Sequence, residues 1–445
     1  MVTGSPSRWR PAKKHFSATL PPMSSMHSAS PAGPPRFTAV AWVLLDWAAS
    51  AFSTVLITLV VAYVERIVFA GSPWGLKPGV VWPWTLAVAM LASAAVAPGL
   101  SAWADRRQRH KTALLGSVTA GAGSLLVLAA APPEARLAVL GAVIVANVGF
   151  DMAAIFTGSL LAAISSGPLA DRLSAYGFAA GYAGGAVALV ISTAIVAARD
   201  QLGLSAAGGL QLAFAFTGLW WLLFSLPAAV ARFGGSHADA HAATAAGELV
   251  AFARSLARSE QEGGRHLAAL LGGSVLVLGA VQTAIAQFSS VALEEFALEP
   301  EALVRLVLLV QAVALPGALA VGWLSEHIGR RTTLAICLAG WAAVLALAWL
   351  VKTVPQLYGL AVLLALVLGG VQSVIRATVA EAAPEGRAGV TFGLLQVGSK
   401  LTGALAGLAF GGLYLASGHP RAGLLALLAQ ILLGWWAVSR SPARR

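Results

Sequence analysis

The side chains of this sequence that could do chemistry sit inside apolar runs. In "AWVLLDWAASAFSTVLITLVVAYV" (41–64), Asp46 is the single charge, and Ser50, Ser53, Thr54 and Thr58 follow it. On an ideal helix at about 100° per residue these five fall within an arc of roughly 140°, one polar stripe. Asn147 and Asp151 stand four apart in a second run, Gln372 and Arg376 in a third, and Gln396 and Lys400 in a fourth; Gln282, Thr283 and Gln287 share a fifth. Residues four apart occupy one helix face. A charge at the centre of a membrane-spanning helix costs about 2.5–3.5 kcal/mol on insertion scales, so each such face is expected to meet protein or water rather than lipid.

The first half of the chain thus offers two acids and the second half two bases. Counted along each run at about 1.5 Å per residue, Asp46, Asp151 and Lys400 fall near mid-depth, with Arg376 nearer the cytoplasmic side. Lys400 and Arg376 would receive an anionic group, and Asp46 or Asp151 an ammonium or a coupling proton. A zwitterionic amino acid fits, as does a monocarboxylate. The competing reading is a salt bridge between halves, for example Asp46 with Lys400, that latches one state of a conformational cycle.

The elements that must position these groups follow from composition. Of 445 residues 58% are hydrophobic and 11% charged, with 47 glycines, which marks an integral membrane protein. Twelve runs are long enough to span a bilayer, near 38–64, 81–103, 112–131, 136–163, 174–198, 210–231, 267–290, 302–324, 332–351, 355–380, 390–415 and 421–438. The expected fold is all-α, twelve transmembrane helices in two six-helix pseudo-symmetric bundles, 38–231 and 267–438. A basic, Ser/Pro-rich tail (1–37) precedes them, a polar cytoplasmic loop (232–266) separates them, and a short tail (439–445) follows. Lys and Arg concentrate in the tails and in alternate loops, which places both termini in the cytoplasm. The net charge of +11 then belongs to topology and anionic lipid, not nucleic acid.

The halves repeat each other. "GLSAWADRRQRHKT" (99–112) and "GALAVGWLSEHIGRRTTL" (317–334) each set an acid, Asp105 or Glu326, four residues after a small residue and just before a basic cluster. Gly177, Gly181 and Gly185 form a ladder in one half, and Gly403, Gly407 and Gly411 in the other. Such spacing lets helices approach closely. The paired motifs resemble the "GxLaDrxGrr" signature of the major facilitator superfamily. "LLDWAASAFSTVLIT", "RLSAYGFAAGYAGGAVAL" and "GGVQSVIRATVAEAAPEGRAGVTFGLLQVGSK" are similar to its vacuole-effluxer-like branch, although Ala49 stands where that branch tends to have Asn.

The resemblance implies a secondary transporter moving a small polar solute by alternating access. An amino acid is the first candidate, the branch being associated with amino-acid efflux, and the proton is the expected coupling ion. It implies a cavity between the halves, with Asp46, Ser50, Asn147, Asp151, Gln282, Arg376, Gln396 and Lys400 as substrate contacts. Asp105, Arg106, Arg109, Glu326, Arg330 and Arg331 would form a cytoplasmic clasp. A monomer in a bacterial inner membrane is expected, without metal or cofactor. The alternatives are an exporter of amphiphilic drugs or lipids and a non-transporting receptor or scaffold.

Other signals carry less. "GLLQVGSK" (393–400) imitates a phosphate loop but lies in an apolar helix with no preceding strand. "HADAH" (237–241) reads as a solvated linker. Glu294, Glu295, Glu299 and Glu301 read as a wetted outer patch. The single cysteine, Cys337, excludes an internal disulfide, and no hydrolytic constellation stands out.

Overall fold

The computed structural model describes residues 34–165, 167–233, 246–259, 261–384 and 388–440, all within the compact unit Pro34–Arg445. Twelve long helices run through them: α1 (Arg36–Val68), α2 (Pro78–Arg107), α3 (His110–Ala130), α4 (Arg136–Ile164), α5 (Gly167–Ala197) and α6 (Ala206–Val230) in the first bundle, then α7 (Glu262–Glu295), α8 (Pro300–Ile328), α9 (Arg330–Leu347), α10 (Val354–Ala382), α11 (Ala388–Ser417) and α12 (Pro420–Ser439) in the second. Ten of them are both long and apolar enough to cross a membrane; α8 and α11 have the length, 29 and 30 residues. In a bilayer only structures that satisfy their own backbone hydrogen bonds can span, which is why the chain resolves into helices. Leu137, Val230 and Leu350, among many large apolar side chains, point outward to what lipid would cover.

Helix ends follow local chemistry. Thr353 and Gln356 form a capping box at the start of α10, with Pro355 in its first turn. Between α8 and α9 the chain turns on Gly329, whose φ of +84° and ψ of 151° are open only to glycine. Gln108, in the corresponding turn of the other motif copy, also has positive φ, +50°. Gly329→Ala is therefore expected to lower stability by about 1–3 kcal/mol, visible as a lower unfolding temperature in detergent.

Several boundaries differ from the sequence expectation. The first expected span ends at 64 and the next begins at 81, which leaves 65–80 as a loop, but α1 runs on to Val68 through two π-helical turns, Leu56–Val60 and Val64–Val68, which bury Glu65. The central segment, expected as a loop from 232 to 266, contains a linker helix, Ala246–Ala257, and α7 begins at Glu262. Its Leu249 and Phe252 lie on one face and are buried, Phe252 in the same apolar cluster as Leu267, Leu270 and Leu271 of α7, an amphipathic pattern too short to stand out beside the spans. "HADAH" lies outside the described residues.

The helices of each bundle pack closely. Trp42 Nε1 donates to the Thr157 carbonyl at 2.8 Å, tying α1 to α4, and Trp47 stacks on Trp220 of α6. At the α3–α4 crossing, a Cβ on Gly149 would lie 2.6 Å from Gly121 Cα and 2.8 Å from the Ser117 carbonyl oxygen. Two backbones touch there.

Candidate functional site

At mid-depth two charges meet across the bundles. Lys400 Nζ of α11 lies 2.7 Å from Asp151 Oδ1 of α4, and Ser93 Oγ of α2 donates to Asp151 Oδ2 at 2.7 Å. The pair is largely enclosed, its side chains 22% and 16% exposed. Lys400 therefore does not pair with Asp46, the example chosen from sequence. Asp46 instead lies against Gly177 of α5, where a Cβ would strike its carboxylate, and it has no hydrogen bond or ion pair among the described residues.

The polar stripe of α1 explains that difference. A Cβ on Gly181 would lie 2.7 Å from Ser50 Oγ, and one on Gly185 would lie 2.6 Å from Thr54 Oγ1. The α5 ladder thus sits on the stripe rung by rung, and Thr54 and Thr58 are buried inside the first bundle. Asp46, Ala49, Ser50 and Ser53 stay half-exposed. The ladder of α11 makes a different contact. Gly403 faces Met90, Gly407 faces the Pro83 carbonyl (3.1 Å from a Cβ) and Gly411 faces Trp84, all on α2. One ladder holds a bundle together; the other lies between bundles.

Asn147, one turn from Asp151, donates to its own helix at Val143 O. Gln282 and Gln372 are half-buried and Gln396 and Arg376 exposed, none with a side-chain hydrogen bond among the described residues. Along α4, Ala154 and Gly158, on the Asp151 face toward the helix end, are exposed as well. The cleft below the pair thus opens toward the face where α1 begins and α12 ends.

The opposite face is closed. The other described polar contacts between bundles lie beyond the pair in that direction: Glu65 accepts from Ser290 Oγ at 2.5 Å, Lys77 Nζ reaches the Gly418 carbonyl at 2.7 Å, and Trp82 Nε1 the Ala286 carbonyl at 3.1 Å. Arg66 joins Glu299 and the Leu298 carbonyl there, and Trp84 reaches Leu408. The acidic patch expected to be wetted is partly engaged, because α7 continues to Glu295. Glu294 accepts from Tyr414, and Glu295 pairs with Arg421 at 3.1 Å, while Glu299 remains 76% exposed.

In the clasp motifs, the side chains of Asp105 and Glu326 lie outside what the structure describes. Arg106 and Arg109 are exposed. Arg330 meets Glu381 at 2.5 Å and Arg331 donates to the Ser439 carbonyl at 2.9 Å, ties within the second bundle. Ser93 and Glu65 escaped sequence reasoning. Ser93 is one small residue among many in "MLASAAVAP", and Glu65 stood where hydropathy had placed a loop.

Residues 165–445 match the family model described as "Vacuole effluxer Atg22 like". The chain belongs to this family. Over 396 residues the Atg22-like chain is 25% identical to an uncharacterised MFS-type transporter, YxiO, of Bacillus subtilis (strain 168), covering 88% of this chain and 92% of that one. Among solved structures it resembles the nucleoside transporter NupG, with a TM-score of 0.68 at 13% identity over 92% of this chain and 100% of that one. It also resembles a D-xylose-proton symporter, with 0.66 at 13% over 91% and 96%. At such identity the likeness is one of fold, and the fold of this Atg22-like protein is that of the major facilitator transporters: a multi-pass membrane protein of two six-helix bundles.

Proposed function

We propose that this Atg22-like protein is a secondary active transporter that moves a small polar solute, an amino acid as first candidate, by alternating access, and that its termini face the cytoplasm. The observation that carries this reading is the Asp151–Lys400 pair at the end of a cleft open on one face, with Arg376 and Asp46, one in each half, in no ion pair among the described residues. In this state the site faces the cytoplasm. A solute with both signs finds Lys400 or Arg376 for its anionic group and Asp151 or Asp46 for its ammonium, each contact stronger in a poorly hydrated cleft than in water. Charges of this kind disfavour a purely apolar substrate, because apolar binding would leave them uncompensated. Proton coupling has a precedent in the D-xylose-proton symporter of the same fold.

The test is uptake of a labelled panel of amino acids and monocarboxylates into proteoliposomes preloaded with the same unlabelled solute, with and without a proton gradient. At least one solute is expected to enter only with the protein, and faster with the gradient; no protein-dependent flux for any member would contradict the reading. Arg376→Gln is expected to lower that flux at least about tenfold while changing stability by less than about 0.5 kcal/mol, since Arg376 is exposed and unpaired. Flux and thermal unfolding, measured on the same preparation, check the two halves of that expectation.

A further inference from the structure

The central pair bridges the bundles between α4 and α11. The cleft ends at Asp151 and Lys400, and beyond them α2 and α11 are in contact along Gly403, Gly407 and Gly411. A solute moving between α4 and α11 from the open face to the closed one meets the bridge.

Neither charge has a replacement within its own bundle. Every acid of residues 262–445 stands near a helix end or in a loop, and every base of residues 36–230 lies within about two turns of a helix end or in a loop. Once the bundles separate, Lys400 faces no carboxylate, and Asp151 keeps only the Ser93 hydroxyl. Separating a mostly buried ion pair without new partners leaves two poorly compensated charges. A solute whose anionic group takes Lys400, and whose cationic group takes Asp151, removes that penalty.

From this arrangement we infer that the empty protein is latched shut on the face opposite its termini by the Asp151–Lys400 bridge, and that it works as an exchanger in which each crossing requires a bound solute. The inference rests on the transport reading above and adds the mode: the empty carrier does not return. Ser93 acts as a positioning residue. Held at 2.7 Å from Asp151 Oδ2, it keeps the carboxylate aimed across the cleft while Lys400 changes partners.

Two measurements test the inference. The first needs no solute. Spin labels at Leu202 and Lys352, exposed loop positions of the first and second bundle on the latched face, in a Cys337→Ser background, report the distance between bundles. Wild type is expected to give one short, closed distribution, and Lys400→Met to raise the longer, open component by about a hundredfold relative to the closed one, the ratio that about 3 kcal/mol from a lost buried pair provides. The swap Asp151→Lys with Lys400→Asp is expected to return the closed distribution. Identical distributions in wild type and Lys400→Met overturn the latch. The second measurement loads proteoliposomes with the unlabelled form of whichever panel solute is transported, or leaves them empty of it, and follows the labelled form. Uptake into loaded vesicles is expected to exceed uptake into empty ones by at least about tenfold. Equal rates overturn the exchange mode while leaving transport itself standing, and absence of any flux falls on the transport reading alone, because the label distances still report the latch.

Discussion

Lys400→Met is expected to destabilise the purified protein by about 2–4 kcal/mol, somewhat below the range for a fully buried pair because both side chains keep some contact with water. The cost arises on the partner. Asp151 remains between α2, α4 and α11 with Ser93 as its only described hydrogen-bond donor, and a mostly enclosed carboxylate without its cation is the expensive species. Adding Asp151→Asn in the same chain should recover most of the loss, because an amide can keep the Ser93 contact without a charge to compensate. Thermal unfolding of wild type, single and double variants in one detergent measures this directly. A single variant as stable as wild type would mean that the pair is screened by water and holds nothing.

Gly149→Leu is expected to be the most damaging single change in the first bundle, at about 3 kcal/mol or more, and to prevent accumulation of monodisperse protein. Overpacking usually costs about 1–3 kcal/mol when side chains can yield. Here the obstacles are Gly121 Cα, Gly121 N and the Ser117 carbonyl, backbone atoms of α3, so relief requires moving a whole helix. Gly141→Leu, on the same helix α4 with nothing within 4 Å of the added Cβ, serves as the control and should behave as wild type on gel filtration. If both variants elute alike, the α3–α4 contact is looser than drawn.

These two sites mark what the sequence made legible. The spans were readable because twenty or so apolar residues between charges admit little else in a bilayer, and the duplicated acid-plus-basic motif and glycine ladders exposed the twofold repeat. The polar residues of the site were readable as a set, since charges in apolar helices are too costly to be incidental. Their pairing was not. Whether Lys400 meets Asp46 or Asp151 depends on how α1 is rotated within its bundle, and that rotation is set by Gly177, Gly181 and Gly185 receiving the stripe of Asp46, Ser50 and Thr54. The ladders announced close approach without saying to which helix, so the role of α11 between bundles emerged only from its contact with Met90, Pro83 and Trp84. Glu65 was lost to the boundary of α1, where two π turns carry the helix past the point at which hydropathy falls.

The central claim is that the transported solute is held at the Asp151–Lys400 pair. Its most direct test is the affinity of that solute for purified wild type and Lys400→Gln, measured by calorimetry at one pH and salt concentration. Kd is expected to rise at least about tenfold in the variant, or about 1.4 kcal/mol, because the anionic group loses its cation and meets an unpaired Asp151 instead. An unchanged Kd would place the solute elsewhere and contradict the account.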